Sequence, residues 1–119
     1  MANVHMIVGS LVILAYLASL VLNIMVARSG NDIPLRRTIS MVAATALLIQ
    51  YGLGFSLLGS HSITAWHYLI ALFAIIPVGF EHGMAAQRPD ATERGKLGAL
   101  ANVVTLVLIL VAYMIGQSN

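Results

Sequence analysis

The chain has 119 residues, enough for about one domain, and 60% of them are apolar against only 8% charged, where a soluble domain carries roughly a quarter charged residues. That balance excludes an ordinary soluble enzyme, and a net charge of +2 built from six basic residues is too weak a field for nucleic-acid binding. There is no cysteine, so disulfides, thiolate metal sites and thiol nucleophiles are excluded too.

The first apolar run, residues 4–26, exceeds the roughly 20 residues needed to cross a bilayer. Lacking a basic start and having too long an apolar stretch for a cleavable signal peptide, it is expected to remain as an anchor. "RSGNDIPLRR" follows, with the turn residues Gly30, Asn31, Asp32 and Pro34, and a second run covers residues 38–58. The short turn "GSHSI" leads into a third run, residues 64–80, in which Pro77 is expected to kink the helix and free a carbonyl. "EHGMAAQRPDATERGK" is the other polar stretch, with Pro89 opening a turn before a fourth run at 97–116. These runs are apolar all round and rich in Leu, Ala and Met, which suits helices rather than the alternating strands of a barrel. The expected fold class is therefore all-α: one transmembrane four-helix bundle, up-down-up-down, spanning the whole chain.

All Lys and Arg residues fall into two places, Arg28, Arg36 and Arg37 after the first run and Arg88, Arg94 and Lys96 after the third. In an up-and-down bundle both stretches share one side, and the positive-inside rule makes that side cytoplasmic. Both termini then face outward, which for a bacterial inner membrane is the periplasm.

Such a topology makes the first and third helices parallel, so His5 and His67, each near the start of its helix, are expected at matched depth on the outer side. Each is followed four residues later by a small residue, Gly9 in "HMIVG" and Ala71 in "HYLIA", and residues four apart share a helix face. Small residues there leave room for a flat macrocycle between two axial imidazoles, the arrangement of a bis-histidine haem. A single histidine at a membrane boundary is ordinarily an interfacial or helix-contact residue; it is the matched pair that argues for a metal. Zinc fits less well, because it needs about three protein ligands and no carboxylate or cysteine lies on that side, leaving His61 as the spare candidate.

"LIQYGLG", with Gln50, Leu53 and Gly54, resembles the Q-x-x-L-G motif of the haem A synthase family, and "WHYLIA" resembles the H-x-x-x-A motif of the ligand helix that follows it. In that family each half is a four-helix bundle whose first and third helices supply a histidine pair. The resemblance extends over almost the whole chain and implies one such half, with His5 and His67 as ligands of one haem b. The family's catalytic half carries an acidic residue on the outer side and this chain has none near His5, so the haem-holding scaffold carries over and synthase activity does not.

Around the pair, Gly52 and Gly54 could admit a ring or a neighbouring helix, and Gln50, Ser60, His61, Ser62 and Thr64 could hydrogen-bond propionates. Trp66, Tyr68 and Tyr51 fit an interfacial aromatic belt. His82, beside Glu81, lies about 15 residues or 22 Å along the helix from His67 and cannot share its metal; a second haem there would have to draw on Met25, Met41 or Met84. The Glu81–His82 pair is expected as a helix-end cap or as an inner-side contact with lipid, a partner subunit or quinol, and Asp32, Glu81, Asp90 and Glu93 as loop solvation and ion pairing. Two functions are open at this level. The chain is a small membrane cytochrome passing single electrons, or a non-catalytic accessory subunit of a larger respiratory or photosynthetic complex, with a chlorophyll-type pigment on one histidine or no cofactor. Both imply the lipid bilayer and further membrane-protein subunits or a homo-oligomer as partners, and neither implies catalysis by the chain itself.

Overall fold

The computed structural model describes residues 2–58 and 64–117 and is helical throughout: α1 (Ala2–Ser29), α2 (Pro34–Ser56), α3 (Ala65–Phe73), α4 (Ile75–Gly83) and α5 (Ala91–Gln117), with a 3-10 turn at Ala85–Gln87. Four stretches are long and apolar enough to cross a membrane, α3, α4 and the turn forming the third of them. The molecule measures 47 × 20 × 20 Å, long enough for a hydrocarbon core about 30 Å thick.

Local chemistry sets the helix ends. Gly30 takes the left-handed conformation, φ 74°, and its N–H donates to the Val26 carbonyl at 2.9 Å, closing α1 with a residue that has no Cβ to strain. Pro34 opens α2, where its fixed φ and missing N–H cost nothing. Asp90 accepts from the Glu93 N–H at 3.2 Å and starts α5 at Ala91, well before the apolar run at Leu97. Hydropathy marks lipid contact rather than helix, so the charged first turns of α2 and α5 fall outside the expected spans. The break attributed to Pro77 comes at Ala74, because the missing N–H and the ring act on the carbonyl one turn earlier.

Lipid tails are as apolar as leucine, so burial of apolar surface does little to draw these helices together. Ile7, Leu14, Ile76 and Met114 accordingly point outward, about 60% exposed or more. Close packing and polar contacts do the joining. In α1 the buried residues Val12, Tyr16, Ser19, Asn23 and Val26 recur at alternating intervals of four and three, and Gly98, Asn102, Thr105, Ile109 and Ala112 do the same in α5. The two helices touch where α5 has glycine: a Cβ at Gly95 would stand 2.5 Å from the Ala27 backbone nitrogen, and one at Gly98 2.6 Å from Asn23 Oδ1. α1 packs next on α2, and α5 on α3 and α4, whereas the backbones of α2 and the α3–α4 pair scarcely approach each other.

A polar network ties the spans together at the end holding the arginines. Asn102 Oδ1 accepts from Ser19 Oγ at 2.8 Å and Asn23 Nδ2 at 2.7 Å, while Asn102 Nδ2 donates to Glu81 Oε1 at 2.9 Å. Ser40 Oγ donates to Glu81 Oε2 at 2.5 Å, and Arg36 Nη1 donates to Asn23 Oδ1 at 3.4 Å. Arg36 Nε lies 3.6 Å from Asp32 Oδ1, close enough to pair but too far to hydrogen-bond. The expectation of Glu81 as a loop or helix-end carboxylate is thus corrected. It is 2% exposed and sits at the centre of the network, because α4 turns it toward Ser40 and Asn102 rather than toward solvent. Interhelical hydrogen bonds in membranes average about 0.6 kcal/mol, so the network contributes on the order of 3 kcal/mol.

Candidate cofactor site

At the opposite end the start of α1 lies beside the end of α2, and α3 and the end of α5 complete a cavity of about 370 Å³, half open to the surroundings. His5 on α1 and His67 on α3 face into it, with ring centroids 6.3 Å apart and planes at 79°. The side chain of Thr64 caps α3 by accepting from the Trp66 N–H at 3.2 Å, which sets His67 in the first turn. His67 Nδ1 pairs with the Ala112 carbonyl at 2.7 Å, and Tyr68 meets the ring edge-on at 5.4 Å. As a donor to that carbonyl, Nδ1 carries the proton and Nε2 keeps its lone pair for a metal. His5 Nε2 lies 3.5 Å from Gln50 Nε2, and its Nδ1 is buried without a partner.

These distances test which metal groups fit. An imidazole nitrogen sits about 2.0–2.1 Å from a metal such as zinc, and the ring centroid a little over 1 Å behind it, so two imidazoles on opposite sides of one metal stand about 6–6.5 Å apart, centroid to centroid. The separation of His5 and His67 meets that requirement. Among the described residues no three of His, Asp and Glu converge, so a four-coordinate zinc site lacks its ligand set. A macrocycle that brings its own four equatorial donors needs only the two histidines. The cavity's walls suit such a ring: they are mainly apolar, with Leu47 and Ile109 at depth, and Asn3, Gln50 and Gln117 among their polar groups.

Several expected site residues take other places. Ala71 lines the cavity and its carbonyl accepts from Tyr51 Oη at 2.5 Å, so Tyr51, like Tyr68, is a wall residue rather than part of an outward belt; Trp66, 64% exposed, does face outward. Gly9 lines the cavity too, but a Cβ there would stand 2.9 Å from Gln50 Nε2, so its smallness makes room for that amide. Gly54 makes room for His5, whose Cε1 would lie 3.2 Å from a Cβ at that position. Gly52 is not part of the site. It lies on the exposed face of α2, where a Cβ meets nothing within 4 Å, because two residues along a helix turn the side chain about 200° away. Ser60, His61 and Ser62 lie outside the described residues.

His82 is in the other half of the molecule, 3.5 Å from Ser40 Oγ and 3.9 Å from Glu81 Oε1. Met25, Met41 and Met84 are each about half exposed and face outward, which removes the thioethers named for a second haem. Sequence reasoning missed the contribution of α5, where Ile109, Ala112 and Gly116 wall the cavity; a Cβ at Gly116 would stand 3.1 Å from His67 Cε1. It also missed the asparagines of the opposite end. Asn23 and Asn102 within apolar runs were the available signal, since a polar side chain inside a span needs a partner. No family model matches the chain, and neither a curated protein nor a solved structure does.

Proposed function

We propose that the chain is a small integral-membrane haem protein in which His5 and His67 ligate one b-type haem, serving electron transfer or as a haem-carrying subunit of a membrane complex. The observation that carries this reading is the pair of imidazoles that line one mainly apolar cavity with ring centroids 6.3 Å apart. When bound, the haem supplies one-electron exchange. The chain's own part is to hold the iron on two nitrogens, to keep the His67 tautomer through the Ala112 carbonyl, and to exclude water with Leu47 and Ile109. In this reading the bundle runs up-down-up-down in a bacterial inner membrane, with the arginine end cytoplasmic and both termini with the haem on the periplasmic side.

Absorption and electron paramagnetic resonance spectra of the protein extracted gently from haem-replete membranes test the ligation. A six-coordinate, low-spin iron is expected, five-coordinate or lost in His5→Ala and His67→Ala and unchanged in His82→Ala. Protein free of pigment with all histidines present overturns the reading. Single cysteines replacing Asn3 and Ser29, both exposed, test the orientation: an impermeant thiol reagent applied from the periplasm labels the first and spares the second.

One observation favours a second reading. Of His5 and His67, it is His67 whose ring is fixed by a hydrogen bond to backbone, and a single pre-oriented imidazole suits a magnesium macrocycle in a pigment-binding accessory subunit. A pigment that depends on His67 and not on His5 selects that alternative.

A further inference from the structure

We infer that Gln50 is the positioning residue of His5, its side-chain oxygen accepting the proton of the imidazole nitrogen left over when the other nitrogen ligates a metal. The inference deepens the bis-histidine reading and rests on it.

Among the described residues four buried side-chain atoms lack a hydrogen-bond partner: His5 Nδ1, Gln50 Oε1, Tyr16 Oη and Arg36 Nε. Two of the four line the same cavity, on residues whose Nε2 atoms are 3.5 Å apart. Because the amide lies beside His5 Nε2, that nitrogen is the one placed to donate to an amide oxygen, and the unpartnered Nδ1 is then the nitrogen left for a metal. Rotation of the amide about its last torsion exchanges Nε2 and Oε1 and turns the acceptor toward the ring.

The backbones around this contact are fitted to it. Gly9 on α1 leaves room for the Gln50 amide, and Gly54, one turn beyond Gln50 on α2, leaves room for the His5 ring; a Cβ at either would come within 2.9 or 3.2 Å. Gln50 and Gly54 therefore present one helix face to His5. A ligating histidine generally gives its second N–H to an acceptor that fixes tautomer and ring orientation. His67 has the Ala112 carbonyl for this purpose, at 2.7 Å. His5 sits in the first turns of α1, and among the described residues that line the cavity Gln50 is the side chain within hydrogen-bonding distance of its ring. A neutral amide also suits a cavity whose walls carry no Lys, Arg, Asp or Glu, because a carboxylate there would add an unpaired charge.

The test uses the full chain in detergent micelles titrated with haemin, comparing wild type with Gln50→Leu and Gln50→Glu, and Gly52→Ala as a helix-surface control. Loss of such an acceptor typically weakens metal binding by about 10–100-fold, which is the expectation for Gln50→Leu, together with a fraction of high-spin iron. Gln50→Glu should restore the low-spin signal while lowering the midpoint potential, since a carboxylate acceptor makes the imidazole a stronger electron donor. Gln50→Leu with wild-type affinity, spin state and potential overturns the proposal. If wild type takes up no haemin, the ligation reading fails first, and nitrogen-15 spectra of the histidine side chains in the metal-free protein then decide separately. A His5 tautomer that changes in Gln50→Leu supports the contact, and identical spectra overturn it.

Discussion

The two ends of this bundle use polar residues in opposite ways. At the arginine end, Ser19, Asn23, Ser40, Glu81 and Asn102 bond to one another across all four spans, and α1 and α5 close to glycine–backbone contact. At the histidine end the same spans surround a cavity, and His5 and Gln50 each keep a buried polar atom without a partner. The first end has an unpartnered atom of its own, Arg36 Nε, but it lies 3.6 Å from the Asp32 carboxylate, whereas those of His5 and Gln50 have no charged group beside them, so the first end contributes more stability than the second. The difference is why the proposed ligand is placed at the second end, where it would supply what packing leaves undone.

Substitutions can break this contrast, and the largest effect is expected where the helices are closest. Gly95→Leu places side-chain atoms inside the Ala27 backbone, which has no flexible neighbour to yield, and should cost roughly 3 kcal/mol or more. Unfolding in micelles followed by circular dichroism would show a lower midpoint, with cofactor binding lost in parallel. His67→Ala should do the reverse, abolishing six-coordinate haem in the absorption spectrum while the unfolding midpoint stays near wild type. A large loss of helix in this variant would mean that the histidine end carries stability after all.

Asn102→Leu sharpens the comparison at intermediate scale. It removes two accepted bonds and one donated bond and leaves Glu81 only the hydrogen bond from Ser40, for an expected loss of roughly 2 kcal/mol at about 0.6 kcal/mol per bond. The smallest effects separate two glycines of α2. Gly52→Ala should be neutral or up to about 1 kcal/mol stabilising, because it gains helix propensity in open space. Gly54→Ala has the same propensity gain but crowds His5 Cε1, so haemin affinity should fall in the second variant only.

Much of the architecture was legible because hydropathy and loop charge are dense signals: four apolar runs of spanning length do become four helical spans. The turn residues Gly30 and Pro34 were readable too, as was the nearness of His5 and His67, since equal distance from the starts of two spans needs no side-chain detail, whereas Asp90, expected as loop solvation, caps α5. What escaped were facts of rotation about the helix axis. Gly52 and Gly54 look alike in the sequence, yet one faces outward and the other touches an imidazole. Glu81, flanked by a histidine and a glycine near a basic loop, reads as a surface carboxylate until α4 is turned to bring it against Asn102. The share of α5 in the cavity was hidden for a similar reason: Ile109, Ala112 and Gly116 carry no chemistry that marks them.

The glycine contacts of α5 also act as a fulcrum. Gly98, fixed against Asn23, lies 14 residues before Ala112, whose carbonyl holds His67, a lever arm of about 21 Å at 1.5 Å per residue. A tilt of about 4° between α1 and α5 around that point shifts the far end by roughly 1.5 Å and leaves the near end in place. A rotation of this kind would widen or narrow the cavity and part α2 from α3, whose backbones scarcely meet, once the Tyr51–Ala71 hydrogen bond releases. On the proposed haem reading, a ring would then enter the histidine end with every helix still wound.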